Sequence, residues 1–279
     1  MNRSMQTPAK TDRRNHGSNE TYVMVMILTA AVAIGISYFA AHSDVKFLYM
    51  LSNGLPPLLA FTAFMIAVVG LFRNGVKVND RVSMVWLGYS LGMLLWLLGE
   101  STWALYTLWY SIPIPYPSVA DVFWLAGYLP LLISLIVQAW PLREVFATKQ
   151  MRATIILMFA LAFGLLVVLV PPTYASSLGG GFVTLAVSLA YPLLDVALLS
   201  VALPMVFLFR KGIFWRPFLF VAVGFILTFV ADVLFTWTNL NGTYYDGNYL
   251  ELFFHWSYLT LAYGFYLRLR HGTARNMLK

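Results

Sequence analysis

The chain has 279 residues, 60% of them hydrophobic and only 10% charged, against roughly a quarter charged in soluble domains. With a mean hydropathy of +0.75, that composition excludes a soluble globular domain, a disordered chain and a coiled coil. The absence of cysteine excludes a disulfide scaffold, a thiolate metal site and a cysteine nucleophile.

A bilayer core takes about 20 apolar residues per helix, and eight runs of that kind follow one another. They are Tyr22–Ala41, Phe47–Phe72, Val82–Leu108, Val122–Pro141, Ala153–Val170, Val183–Phe209, Pro217–Trp237 and Leu250–Leu267. The runs are continuous rather than alternating, which speaks for helices and against a β-barrel. The expected fold is therefore all-α: a polytopic integral membrane protein of eight transmembrane helices. It divides into a tail at 1–21, a membrane domain at 22–267 and a tail at 268–279. The leader before the first run is long for a signal peptide, so an uncleaved anchor is expected there.

Placement of the basic residues orients the spans. With eight spans, seventeen of the eighteen Lys and Arg fall on one side and only Lys46 on the other. The positive-inside rule makes that side cytoplasmic, with both termini inside the cell membrane. The net charge of +7 thus reads as topology and contact with anionic lipid, and no nucleic-acid partner is expected.

The second half of the chain echoes the first. Asp121-Val-Phe-Trp-Leu-Ala-Gly-Tyr128-Leu and Glu251-Leu-Phe-Phe-His-Trp-Ser-Tyr258-Leu share acid, Phe, Tyr and Leu at the same offsets. Ser52, Pro56 and Leu58 match Ser188, Pro192 and Leu194, and Glu100 matches Asp232. This spacing predicts a parallel repeat of four spans plus four, over about 22–142 and 153–267. The prolines Pro56, Pro57 and Pro192 fall inside spans and interrupt their hydrogen bonding.

Five carboxylates lie in or at the edge of the spans: Glu100, Asp121, Asp195, Asp232 and Glu251. Intramembrane acids are costly and mark functional interiors. All five fall in the half away from the basic loops. Aromatic and hydrogen-bonding side chains share their helix faces: Trp103 with Glu100, Trp124 and Tyr128 with Asp121, Tyr191 before Asp195, and His255 and Tyr258 after Glu251. These eleven residues are the candidate ligand-binding set, an acidic and aromatic pocket suited to an amine or a metal cation. Tyrosine–carboxyl pairs also serve as helix glue, and that alternative stands beside it. One histidine per helix, His42 and His255, is a poor basis for a metal site, so no metal is assigned. Trp109, Tyr110 and Tyr116 fit the aromatic belt at the membrane surface.

Catalytic signatures are absent: there is no His-Glu-x-x-His pair, no Gly-x-Ser-x-Gly elbow and no phosphate-binding loop. No catalytic residue is assigned, and the chain is read as leaning away from an enzyme. Asn241-Gly-Thr243 is a glycosylation triplet in an outer loop.

Pro113-Ile-Pro115-Tyr-Pro117-Ser118-Val-Ala120-Asp121-Val-Phe-Trp-Leu-Ala-Gly-Tyr128 resembles the multi-span N-terminal membrane input regions of prokaryotic diguanylate cyclases and sensor histidine kinases. Tyr191-Pro192-Leu193-Leu194-Asp195, Ala231-Asp232 and Glu251 are similar to further segments of those regions, so the resemblance covers roughly 82–262. It implies a membrane sensor module for an unknown ligand. Twelve residues follow the last span, too few for a kinase or cyclase. The expectation is therefore an input module that acts with a signalling partner in the cytoplasm or membrane. An intramembrane lipid-modifying enzyme using Asp195 and Asp232, a small-solute or cation transporter, and a structural subunit of a membrane complex are the competing readings. The cofactor and oligomeric state are not readable from the sequence.

Overall fold

The computed structural model describes residues 9–77, 79–112, 115–142, 144, 148–177, 181–210, 212 and 215–277. Those residues form eight long helices and no strand. In chain order they are α1 (Ala9–Ala40), α2 (Val45–Asn74), α3 (Arg81–Ala104), α4 (Val119–Ala139), α5 (Lys149–Ser177), α6 (Gly181–Phe209), α7 (Trp215–Leu240) and α8 (Glu251–Met277). Among the described residues, six stretches are long and apolar enough to cross a membrane: Asn19–Ala40, Val45–Asn74, Arg81–Trp109, Val119–Ala139, Gly181–Phe209 and Trp215–Leu240. The other two expected spans differ for identifiable reasons. The described apolar stretch of α5 is shorter, at Met151–Leu165. The 27-residue α8 is long enough, but Glu251, His255, Arg268 and Arg270 dilute its apolarity. It also continues through Met277, into the expected C-terminal tail, and α1 begins at Ala9, within the expected N-terminal one.

Side-chain caps set the helix starts. Asp44 accepts from the Phe47 amide (3.0 Å) and Asp80 from the Ser83 amide (2.9 Å). Ser118 and Asp121 form a reciprocal capping box at the start of α4, which satisfies donors that no helix can pair internally. α2 ends at Gly75, whose φ of 78° favours glycine. α3 passes into a single π-helical turn over Leu105–Trp109.

Six helices close into a ring in the order α2, α3, α4, α6, α7, α8 and back to α2. α1 leans on α8 and α5 on α6, both outside the ring. Glycines let two seams of the ring come close. A Cβ on Gly92 of α3 would stand 2.5 Å from Leu131 Cγ of α4, and one on Gly224 of α7 would stand 2.6 Å from Leu261 Cγ of α8. Close approach through small residues is how helices gain contact where lipid removes the hydrophobic drive between them.

One half of the ring is solid. Trp86, Tyr89, Met93, Leu131, Leu198, Phe225, Leu261 and Phe265 are buried there in one continuous core. At the end of that half Arg268 donates to Gln138, its guanidinium 5.6 Å from the Trp86 ring and 5.9 Å from that of Phe218. Glu20 of α1 pairs with Arg216 of α7 (3.3 Å) and His271 of α8 (3.1 Å), tying three helices together. The other half holds the carboxylates.

Candidate functional site: an acidic and aromatic cavity inside the helix ring

Each of the five acids is reached by tyrosine hydroxyls from other parts of the chain. Tyr258 of α8 donates to Glu100 Oε1 of α3 (2.6 Å), and the Trp124 indole N–H is turned toward the same carboxyl. Tyr191 of α6 donates to Asp121 Oδ1 of α4 (2.8 Å), whose other oxygen accepts from the Ser118 amide (2.6 Å) and hydroxyl (2.9 Å). Asp121 is thus both helix cap and site residue. Glu251 accepts from Tyr38 of α1 (3.0 Å), from Tyr244 (2.9 Å) and from the Gly247 amide (3.1 Å) in the loop before α8.

The centre of the network is Tyr128 of α4. Its hydroxyl lies 2.8 Å from Asp195 Oδ1 of α6 and 2.9 Å from Asp232 Oδ2 of α7. A phenol has one proton to give, so serving both carboxyls requires that one of them carry its own. Asp195 is fully buried and its Oδ2 makes no hydrogen bond.

Around these bonds lies a partly open cavity of about 110 Å³. All six ring helices line it. Ten of the eleven residues singled out from sequence meet there: Glu100, Trp103, Asp121, Trp124, Tyr128, Tyr191, Asp232, Glu251, His255 and Tyr258. Asp195 stands behind the wall and joins through Tyr128. No Lys or Arg lines the cavity among the described residues. The rings form a connected set. Trp96 meets Tyr128 and Tyr258 edge-on at 5.4 and 6.1 Å, and Trp103 lies 5.7 Å from Trp124 and 6.5 Å from Phe235.

His255 is wholly buried in the wall. Its Nδ1 lies 2.5 Å from the Glu251 carbonyl and so carries a proton. Its Nε2 makes no hydrogen bond. His42 sits apart, bonded to the Phe39 carbonyl and Ser43. No group of three or more His, Asp or Glu side chains is placed to hold a metal among the described residues.

Sequence reasoning missed several lining residues. Trp96 is one turn before Glu100 and was findable by spacing. Asn53, which accepts from Trp103 Nε1 (2.9 Å), carries no motif. Tyr38 reaches Glu251 across 213 residues. Tyr116 departs from the aromatic-belt expectation: it lines the cavity and bonds Ser188 (2.9 Å), whereas Trp109 and Tyr110 are 79% and 57% exposed as a belt requires.

A second recess adjoins the first and shares Trp103, Tyr116, Phe235 and Tyr244 with it. Asp246 lies in its wall. Burial pushes the Asp246 carboxyl above its usual range, with the Asn53 amide acting the other way. Burial also raises the phenols of the two loop tyrosines, Tyr116 to about 12 and Tyr244 well above the ordinary value. Both therefore stay neutral and able to donate at any working pH.

No protein-family model matches the chain, and neither the curated proteins nor the solved structures contain a match.

Proposed function

We propose that the protein is a non-catalytic, sensor-like ligand-binding module of the cell membrane, with a pocket that faces away from the cytoplasm and a signal passed to a partner protein. Eight spans, cytoplasmic termini and a parallel repeat of four plus four belong to this reading. Segregation of the basic residues supports the orientation. The repeat is supported by paired contacts: Gly92 with Leu131 corresponds to Gly224 with Leu261, and Trp96 with Gly127 corresponds to Thr228 with Ser257 (2.6 Å). Tyr258 on Glu100 likewise corresponds to Tyr128 on Asp232. The resemblance to cyclase and kinase input regions supports the sensor role.

The observation that carries the reading is one cavity, lined by four carboxyl side chains from α3, α4, α7 and α8, above a solid apolar half. Two magnitudes weigh it against helix glue. Inter-helix hydrogen bonds in membranes contribute about 0.6 kcal/mol on average. An Asp at the centre of a span costs about 2.5–3.5 kcal/mol to insert. Tyrosine bonds alone do not offset that cost for the three acids in helix interiors, Glu100, Asp195 and Asp232. The packed core counts against a transport path, which needs access from both sides. The Asp195–Tyr128–Asp232 triple favours one second reading, acid–base catalysis on a lipid.

Native mass spectrometry of the detergent-purified protein, with metal analysis of the same sample, tests the proposal. The Glu100→Gln/Asp232→Asn double variant runs beside it. A small molecule retained by the wild type and lost from the variant is the expected result. Identical bare spectra sink the occupied pocket. Turnover of lipid abolished by Asp195→Asn, with folding intact, transfers the protein to the enzyme class.

A further inference from the structure

Resting on the pocket reading above, we infer that the cavity binds a small organic cation, an aryl- or alkylammonium, with its charge at the Glu100 and Asp232 carboxyls and its carbon frame among Trp103, Trp124 and Phe235.

The inference follows from which hydrogen-bonding groups the wall has left. Nearly every lining donor is already used inside the protein. The hydroxyls of Tyr128, Tyr191, Tyr244 and Tyr258 go to carboxyls. The indole N–H groups of Trp96 and Trp103 go to the Trp124 carbonyl (3.1 Å) and Asn53 (2.9 Å). Asn53 Nδ2 goes to the Tyr49 carbonyl (2.9 Å), and the hydroxyls of Thr228 and Ser257 meet each other. The Trp124 indole N–H is turned toward Glu100, which leaves the Thr236 hydroxyl as the lining donor without a bond among the described residues. What remains is acceptor capacity on the carboxyls: an ionised carboxylate offers about four lone-pair sites, and Glu100 and Asp232 each use only part of theirs.

A wall with surplus acceptors and spent donors selects a ligand that donates and does not accept. An ammonium is that group: three donors, no acceptor and a positive charge. Sugars and carboxylic acids bring acceptors that would meet acceptors. The aromatic lining adds attraction for a cation over the ring faces, and it strengthens as water leaves. No Lys or Arg competes in the wall. The second recess, with Asp246 in its wall and four residues in common with the cavity, is the approach from the outer side.

The test uses three isosteric probes on the full chain in nanodiscs, read by calorimetry and tryptophan fluorescence. They are phenylethylammonium, neutral phenylethanol and anionic phenylacetate. The ammonium is expected to bind saturably, at least tenfold tighter than the alcohol, with no binding of the acid. Asp232→Asn is expected to weaken the ammonium tenfold or more and leave the alcohol unchanged; Glu100→Gln serves if that variant does not fold. Equal binding of alcohol and ammonium overturns the cation while leaving the pocket standing. Silence from all three, together with bare native mass spectra, overturns pocket and cation alike. Ammonium binding that neither variant alters overturns the assigned seat.

Discussion

Tyr258 and Glu100 illustrate how little a single bond contributes to stability here and how much it specifies. Removing the hydroxyl in Tyr258→Phe is expected to lower unfolding free energy by about 0.6 kcal/mol and by no more than about 1.7 kcal/mol, measured by denaturant titration in mixed micelles. Ser118→Ala removes a helix cap and a donor to Asp121, and about 1 kcal/mol of loss is expected. Asp246 gives a pH signature. Its carboxyl titrates above the ordinary range because of burial, so the folded state holds the proton more tightly than the unfolded one. Its contribution to stability is complete below an unfolded value of about 3.9 and is lost as pH rises through the raised folded value. The thermal midpoint of Asp246→Asn, followed from pH 4 upward, is expected to lack that decline. A decline identical to that of the wild type refutes the assignment.

At the scale of elements, the two glycine seams make matched predictions. Gly92→Ala and Gly224→Ala each drive a methyl into a leucine, and each is expected to cost about 1–3 kcal/mol. The seams share no residue, so the double variant is expected to be additive. Gly164→Ala is the control: nothing lies within 4 Å of the added Cβ, and helix propensity favours alanine by up to about 1 kcal/mol. Much of this level was legible in the sequence. Apolar runs long enough for a bilayer leave few alternatives to helix, and the stretches Asp121–Tyr128 and Glu251–Tyr258 each open one, α4 and α8. The acids were legible because a carboxyl in a span is conspicuous. The order of helices around the ring was not, since the contact of α2 with α8 and of α4 with α6 depends on surfaces that no local pattern encodes. Tyr38 was invisible for the same reason, and Tyr116 because a loop tyrosine looks alike whether it faces lipid or a cavity.

For the whole molecule the decisive property is asymmetry between a hollow, acidic half and a packed half closed by Arg268 and the Glu20 pairs. The absence of native cysteine makes orientation directly measurable. Ser43→Cys, in the α1–α2 connection, is expected to react with an impermeant maleimide on intact cells. Gly212→Cys, between α6 and α7, is expected to react only after permeabilisation. The reverse pattern inverts the protein and turns the cavity toward the cytoplasm.

The crossing of the central bonds has a consequence for how the chain is held as one piece. Tyr128 precedes α5 and serves Asp232 beyond it, while Tyr258 lies beyond α5 and serves Glu100 before it. Glu100 in one set of four helices and Asp232 in the other each take a tyrosine hydroxyl from the opposite set. Severed between α4 and α5 and produced as two polypeptides, the halves are expected to be degraded separately and to survive together. They would form an obligate complementing pair in which each fragment acts as the other's folding template.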